Sequence, residues 1–518
     1  MPLSKSRYIV SLDLGTSGLK AALVSEGGEI VASAYRPVET VLVGPDGAEQ
    51  DAEAIWTATK DAIKQVVQEA ARPAEEIIAV AVASQFSSIV PVDRSGKPVM
   101  NLIVWMDSRG GAFSREIYGR HPEAFPTWVD IHGAMPLPSG NDSLSHMLWV
   151  KEARPDVYER THKFLEPMDY LTARLSGEIT ANACTVFMMV LTDNRQLDAV
   201  HYDEKLIEMS GIDRDKLPDL VPVLSPVGTV LPAIAAEIGL SAETKVLSGL
   251  NDTQAVSVGT GTFKAGHGGV NIGTTSQVLA HLPSKASDLE HAIVASPSAI
   301  DGRYVVIAEN GIGAKALDHF LTNVLFASDA LADHTTEDMF GHVDDLVREA
   351  PPGSGSVLFL PWLTGSNAPS SNENARGGFL NLSLSTTRAH MVRSIMEGVA
   401  YNLRWLLPAV EQFSGGEFEQ VYLSGGGALS DEWSQILADV MGRSLLQLDD
   451  PRHCIVRTTA FLGFERLGML EMADFPRISQ VRRTYEPQPE RSTIYDGLFE
   501  QFLAAFDRNR PIFDSLNG

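Results

Sequence analysis

Three short segments hold residue types that could manage a phosphate and the hydroxyl that attacks it. The first is Asp13-Leu14-Gly15-Thr16-Ser17-Gly18-Leu19-Lys20. Gly15 and Gly18 allow tight turns, whose backbone N–H groups can form a concave nest for an anion. Thr16 and Ser17 add hydroxyl donors, and Lys20 adds positive charge. Asp13 ends an apolar run and is suited to holding Mg2+ through water, because that ion keeps several waters and takes few carboxylates. The same residues would also make an ordinary strand–turn–strand hairpin.

The second segment is Ser248-Gly249-Leu250-Asn251-Asp252-Thr253-Gln254. A carboxylate within hydrogen-bond reach of an alcohol can take its proton. In phosphoryl transfer such an Asp orients the nucleophile while metal and backbone donors stabilise charge. The competing reading is that Asp252 caps the helix that follows, and spacing alone favours the cap. The third segment, Leu423-Ser424-Gly425-Gly426-Gly427-Ala428, runs from a strand into three glycines and on to a helix near Asp431. It either lets a flat ring approach the backbone or makes a tight strand-to-helix turn. Two common nucleotide fingerprints are missing. Gly96-Lys97 is followed by Pro98 and lacks the first glycine of a P-loop. Gly259-Thr260-Gly261 has Lys264 where a dinucleotide-binding turn needs its third glycine.

The elements that must position these segments are legible from period and punctuation. Tyr8–Leu14, Lys20–Val24 and Ile30–Tyr35 read as strands, the last two joined around Gly27-Gly28 as a hairpin. Asp51 opens a helix over Ala52–Ala70, with Ile55, Ala58, Ala62, Ile63 and Val66 on one face. Ile77–Ala83 is a continuous apolar run, as in a strand covered on both faces. Ile89–Asp93 and Pro98–Trp105 read as strands flanking a turn. Residues 113–240 read as mainly helical and loop-rich. A second β-rich section begins near Gly269, with strands at Val270–Gly273, Gln277–Leu282 and Tyr304–Ala308, and helices at Gly313–Val324 and Thr386–Gln412. Gln420–Leu423, Asp431–Met441, Ser444–Leu448 and Arg457–Leu467 then alternate strand and helix, which implies α/β layers with largely parallel sheets. Asp13-Leu-Gly-Thr-Ser17 is echoed by Asn271-Ile-Gly-Thr-Thr275, which suggests two related domains facing one cleft.

Composition narrows the class. The 518 residues carry 66 acidic and 41 basic side chains, a formal net charge of −25. With no basic run, a nucleic-acid partner is excluded, since binding that backbone needs clustered Lys and Arg. Cys184 and Cys454 are too few and too far apart for a disulfide framework or a cysteine zinc site, which suits a reducing compartment. The opening residues lack the apolar stretch of a signal peptide. The apolar runs fall well short of the ~20 residues a membrane span needs. The expectation is a soluble, cytoplasmic protein with no membrane partner.

In this order, the segments resemble the FGGY carbohydrate kinase family, within the actin-like ATPase superfamily, over about Tyr8 to Leu467. Asp13–Lys20 and Asn271–Ser276 resemble its two phosphate motifs, and Gly425–Ala428 its adenosine motif. Arg376-Gly377-Gly378-Phe379-Leu380-Asn381-Leu382, with His390 and Ser394-Ile395-Met396-Glu397, resembles its C-terminal signature. Two departures stand out. Asn381 replaces the usual Gly. Phe86-Ser87 stand where glycerol kinases carry Arg-Glu and xylulokinases Met-His.

The resemblance implies an α/β fold of two ribonuclease-H-like (actin-like ATPase) domains flanking a deep cleft, residues 1–260 on the sugar side and 261–518 on the nucleotide side. It implies ATP and Mg2+, with Asp252 as catalytic base and Asp13 at the metal. Nucleotide contacts fall to Asp13, Gly15, Thr16, Ser17, Lys20, Gly273, Thr274, Thr275, Gly313, Gly426, Gly427, Ala428 and Asp431. Sugar contacts fall to Gln85, Phe86, Ser87, Trp105, Asp107, Asp252 and Thr253. The implied activity is transfer of the ATP γ-phosphate to a hydroxyl of a small-molecule sugar, a ketopentose such as xylulose. The alternatives are a kinase for another ketose or polyol, or an actin-like ATPase switch or binding protein. The family often forms dimers, which leaves a homodimer open.

Overall fold

The computed structural model describes residues 6–327 and 339–517. Residues 1–5, part of the opening segment read as lacking a leader, lie outside the described residues.

Two β-sheets organise the chain. In the first, the order is Pro226–Thr229, Lys245–Leu247, Ile77–Ser84, Tyr8–Gly15, Gly18–Ser25, Ile30–Pro37, with Leu250–Asn251 also pairing with Ile77–Ser84. In the second it is Glu309–Ile312, Thr275–Leu279, His267–Ile272, Gln420–Ser424, Leu445–Leu448, Val481–Tyr485. The two follow one plan. A central strand, Tyr8–Gly15 or His267–Ile272, begins a run of three antiparallel strands on one side. On its other side come two parallel neighbours and an antiparallel edge strand. The echo between Asp13–Ser17 and Asn271–Thr275 therefore marks equivalent hairpins of two sheets built alike.

Local chemistry explains the main elements. Ile77–Ser84 is buried along almost its whole length, as its unbroken apolar run requires between parallel neighbours. Asp51 caps the Ala52–Ala70 helix, accepting from the N–H groups of Glu53 and Ala54 at 2.9 and 3.1 Å, a cap worth about 1 kcal/mol. Residues between the sheet strands form a helical insertion around its own core, including Trp128, Phe164 and Phe187. The expected strands at 89–93 and 98–105 shrink to Val90–Val92 and Leu102–Ile103. The helix expected over 313–324 runs from Ala314 to Phe320 and passes into a π-helical turn, Leu321–Leu325.

Two helices join the sheets. Asp252–Gly259 and Cys454–Arg466 pack on each other, and Gly259 has no Cβ because one would stand 2.4 Å from Cys454 Sγ. Their side chains Val258, Ala460 and Phe464 pack with Ile9, Ala79 and Leu247 of the first sheet. Val256 and Cys454 pack with Leu279 and Leu448 of the second. The Cys454–Arg466 helix thus belongs to the second half by sequence and to the first sheet by packing.

The C-terminal signature is a structural clasp. Glu397, almost fully buried, accepts from Arg393 Nε at 2.8 Å, Gly353 N at 2.9 Å, Ser354 Oγ at 2.7 Å and Tyr495 Oη at 3.0 Å. Tyr495 belongs to the final helix, Pro489–Asn517, so the clasp ties that helix to Arg388–Phe413. Asn381 sits at φ +64°, a left-handed conformation open to Gly and tolerated by Asn. Its side chain donates to Ser356 O at 3.0 Å. That explains why Asn can stand where the resembling family usually has Gly.

Candidate active site

Register places the site. Leu14 and Asn251 both lie opposite Ser84 on adjacent strands. The residues that follow, Gly15-Thr16, Gln85-Phe86 and Asp252-Thr253, therefore leave the first sheet at one edge. Ligands of α/β sheets bind outside such carboxyl ends. In the second sheet Asn271 lies opposite Ser424, so the Gly273 and Gly425 turns emerge together in the same way.

The first turn holds an ion pair. Asp13 and Lys20 face each other across the hairpin, and Lys20 Nζ donates to Asp13 Oδ2 at 2.9 Å. Asp13's charge outweighs the cost of burying Lys20 and holds its ammonium above the ordinary lysine range, so it stays charged at neutral pH. A Cβ on Gly18 would stand 2.3 Å from Tyr35 Oη and would push the exposed Tyr35 ring aside. That hydroxyl donates to Ser17 O at 2.9 Å and braces the turn. The side chain of Ser17 is exposed.

A polar network fastens this turn to the proposed sugar side. Trp105 Nε1 donates to Thr16 Oγ1 at 2.9 Å, and Thr16 Oγ1 donates to Gln85 Oε1 at 2.7 Å. Gln85 Nε2 donates to Gln50 Oε1 at 2.8 Å, and Gln50 Nε2 returns to Thr16 O at 2.7 Å. Gln50 was not among the expected site residues. Nothing in its local sequence marks it, since its role arises from pairing across distant segments. Phe86 is half-buried against the first core. Ser87 holds φ +59° and donates to Asn141 O at 2.7 Å. Such backbone strain in a non-glycine residue concentrates at functional sites. Asp107 is engaged internally, accepting from Ala48 N at 2.9 Å and Arg109 Nε at 2.8 Å. Arg109 also pairs with Glu49 at 2.8 Å.

Asp252 is spared the capping bond by its neighbour. Asn251 is the helix cap, its Oδ1 accepting from Gln254 N at 2.9 Å. Asp252 Oδ1 accepts from Thr253 N at 2.7 Å. Its side chain keeps partial exposure while lying deep among protein atoms. Burial pushes its carboxyl up to about 7, the charge of Asp13 adds to this, Glu309 adds less, and the Thr253 N–H opposes it. Glu309 is raised by burial to about 7 as well. Gln277 Nε2 lies 3.2 Å from Thr253 Oγ1 and 3.3 Å from Glu309 Oε2. Gln277 and Glu309 were likewise not expected from the sequence, where Gln277 opens a strand and Glu309 follows the end of one; in the structure Glu309 begins the strand Glu309–Ile312.

On the other side, Gly273 accepts from Ala314 N at 2.8 Å and Thr274 from Gly313 N at 2.9 Å. A Cβ on Gly313 would stand 2.6 Å from Thr275 O, so the two turns touch through bare backbone. Gly425, at φ +93°, would place a Cβ 2.5 Å from Ile272 O. Gly426 borders open space and is exposed, whereas Gly427 and Ala428 are buried. Asp431 is held by Tyr485 Oη at 2.7 Å and Arg483 at 3.1 Å. Among the described residues, no group of three or more His, Cys, Asp or Glu side chains could hold a metal, and no helix is long and apolar enough to cross a membrane.

Comparison with known proteins shows the family and the fold. Residues 8–259 match the N-terminal domain of the FGGY family of carbohydrate kinases, and residues 268–456 its C-terminal domain. A xylulose kinase of Bacillus subtilis is 26% identical over 98% of this chain and 99% of its own length. A gluconokinase of the same organism is 26% identical over 84% of this chain and 82% of its own. The crystal structure of gluconate kinase from Lactobacillus acidophilus superimposes with a TM-score of 0.84 at 21% identity, covering 99% of this chain and 100% of that one.

Proposed function

The chain belongs to the FGGY family of carbohydrate kinases, phosphotransferases with an alcohol acceptor and ATP as donor, and from that premise we propose that it phosphorylates a neutral ketose, a ketopentose such as xylulose. The actin-like switch reading is not favoured, since both family domains match.

The observation that carries the proposal is the position of Asp252 at the same sheet edge as the Asp13–Lys20 turn and the Gln85–Ser87 segment. Asp252 takes the proton of the sugar hydroxyl as that oxygen forms a bond to the γ-phosphorus and the bond to the bridging oxygen of ADP breaks. A carboxyl poised near neutrality suits a base at physiological pH. Lys20, the Ser17 hydroxyl and the backbone of the Gly15, Gly273 and Gly426 turns hold phosphate, while the Thr16 hydroxyl, expected among the phosphate donors, is spent on Gln85. Asp13 has one oxygen on Lys20, which leaves Oδ1 for a water-bound Mg2+; when bound, the ion neutralises developing phosphate charge.

Charge argues for a neutral acceptor over an aldonate such as gluconate. The site gathers Asp13, Asp252 and Glu309, against Lys20 and Arg109, both paired with carboxylates, and the exposed Arg452 near Lys20. A carboxylate substrate would meet repulsion there. The polar network of Thr16, Gln85 and Gln50, with Phe86 and Trp105, supplies hydroxyl partners and apolar faces. The setting proposed is the cytoplasm, and the assembly a homodimer, which light scattering at the mass of one chain would reject.

The test is ADP release, coupled to an optical readout, across pentuloses, hexuloses, polyols and gluconate. A ketopentose should stimulate most. Stimulation by gluconate alone would overturn the neutral-acceptor reading, and no stimulation by any compound would overturn the kinase assignment for this chain.

A further inference from the structure

Gln277, on the second sheet just beyond the Gly273–Thr275 turn, donates a hydrogen bond directly to Thr253, the residue whose backbone N–H is bonded to Asp252. Its amide nitrogen has two hydrogens, one aligned to Thr253 Oγ1 at 3.2 Å and one to Glu309 Oε2 at 3.3 Å. Gln277 and Glu309 are register partners on adjacent antiparallel strands. Gln277 is buried. Thr253 in turn donates its backbone N–H to Asp252 Oδ1 at 2.7 Å. A continuous line of contacts therefore leads from the turn that would hold phosphate, along one strand, through an amide to Thr253, and on to the carboxylate.

We propose that Gln277 is a positioning residue, a tie by which the nucleotide-side sheet sets the orientation of Asp252, with Glu309 anchoring the amide. The tie rests on the kinase reading above and deepens it. Both amide hydrogens must be satisfied for it to be held in one orientation, since a buried unmet donor is costly. With Glu309 fixed by its strand pairing, the remaining hydrogen is aimed at Thr253. Displacement of the Gly273–Thr275 turn on nucleotide binding would then move the Asp252 segment with it.

Two measurements test the tie. In steady-state assays with the best acceptor, Gln277→Ala lowers kcat about tenfold, as losing one buried hydrogen bond allows. KM values for ATP and sugar hold within about twofold, because uniform binding is untouched. Gln277→Met, matched in size, loses the same activity if the alanine variant folds poorly. Thr253→Val combined with Gln277→Ala loses less than the product of the two single effects, since the two share one contact. In parallel, amide hydrogen exchange over residues 250–256 is slowed by a non-hydrolysable ATP analogue in the wild type and not in Gln277→Ala. Unchanged kcat, a raised sugar KM with kcat intact, additive losses, or equal exchange in both proteins would each overturn the tie. If the wild type transfers no phosphate yet shows the exchange difference, the kinase reading falls and the tie stands.

Discussion

Asn251 caps the helix at the site, and Asp252 follows it as the first helical residue, its carboxylate spared from the capping bond. That one-residue division of labour gives the helix its start and leaves the carboxylate to the role of base proposed above. Asp252→Asn should therefore keep the fold and lower kcat by about 10^2- to 10^4-fold, the span of general-base effects. Calorimetry should show ATP affinity within about threefold of wild type, because the change leaves the phosphate turns intact. Retained turnover would remove Asp252 from the role of base.

The same carboxyl sets a pH dependence. As the proposed base Asp252 must be deprotonated, and burial with the charge of Asp13 raises its carboxyl to about 7, so kcat/KM should rise with pH through that value and fall about tenfold per unit below it. Glu309→Gln removes a negative neighbour that raises Asp252 and should move the acid limb to lower pH. A profile flat from pH 5 to 8 would contradict the assignment.

Lys20 is fixed on Asp13 and kept charged by it. Lys20→Met should raise the KM for ATP about tenfold or more, the scale of one charge-assisted phosphate contact, and leave the sugar KM nearly unchanged. Asp13→Asn should weaken the dependence on Mg2+ in a metal titration. Equal Mg2+ dependence in wild type and variant would remove Asp13 from the metal site.

Arg393 is buried against Glu397 and Tyr495. Arg393→Met leaves Glu397 a buried carboxylate without its cation and should cost about 3–5 kcal/mol of stability, read by denaturant unfolding, with KM values unchanged. A shift in KM without loss of stability would move the clasp from structure to chemistry.

At Asn381 the left-handed backbone predicts an asymmetric series. Asn381→Gly should be close to neutral, and Asn381→Val should cost about 1–2 kcal/mol, the penalty for a side chain in that conformation. Equal melting of the two variants would contradict the geometry.

The sequence made some of this legible for stated reasons. The Ala52–Ala70 helix carries both an apolar face and a capping Asp51, so its limits could be read closely. The paired hairpins announced themselves because Gly and Thr recur at equivalent turns. Asp252 was drawn toward a capping role because Asp and Asn are interchangeable there, and only hydrogen bonds show that Asn251 takes it. Gln50, Gln277 and Glu309 left no local signal. Each gains meaning from partners 24 to 35 residues away in sequence, joined by tertiary hydrogen bonds. Phe86 and Ser87 matched neither known pair, and the structure answers with a half-buried ring and a strained backbone.

The helix Cys454–Arg466 carries a further consequence, for how the chain is made. It covers Ile9, Ala79 and Leu247, yet the ribosome supplies it some two hundred residues after the last strand of that sheet. Until then the nascent first half must wait with one apolar face bare, open to chaperones or to aggregation. A polypeptide stopped at residue 260 would stay in that condition permanently. Two sheets of matching plan are thus joined through a late-arriving segment, the one lying against the Asp252 helix.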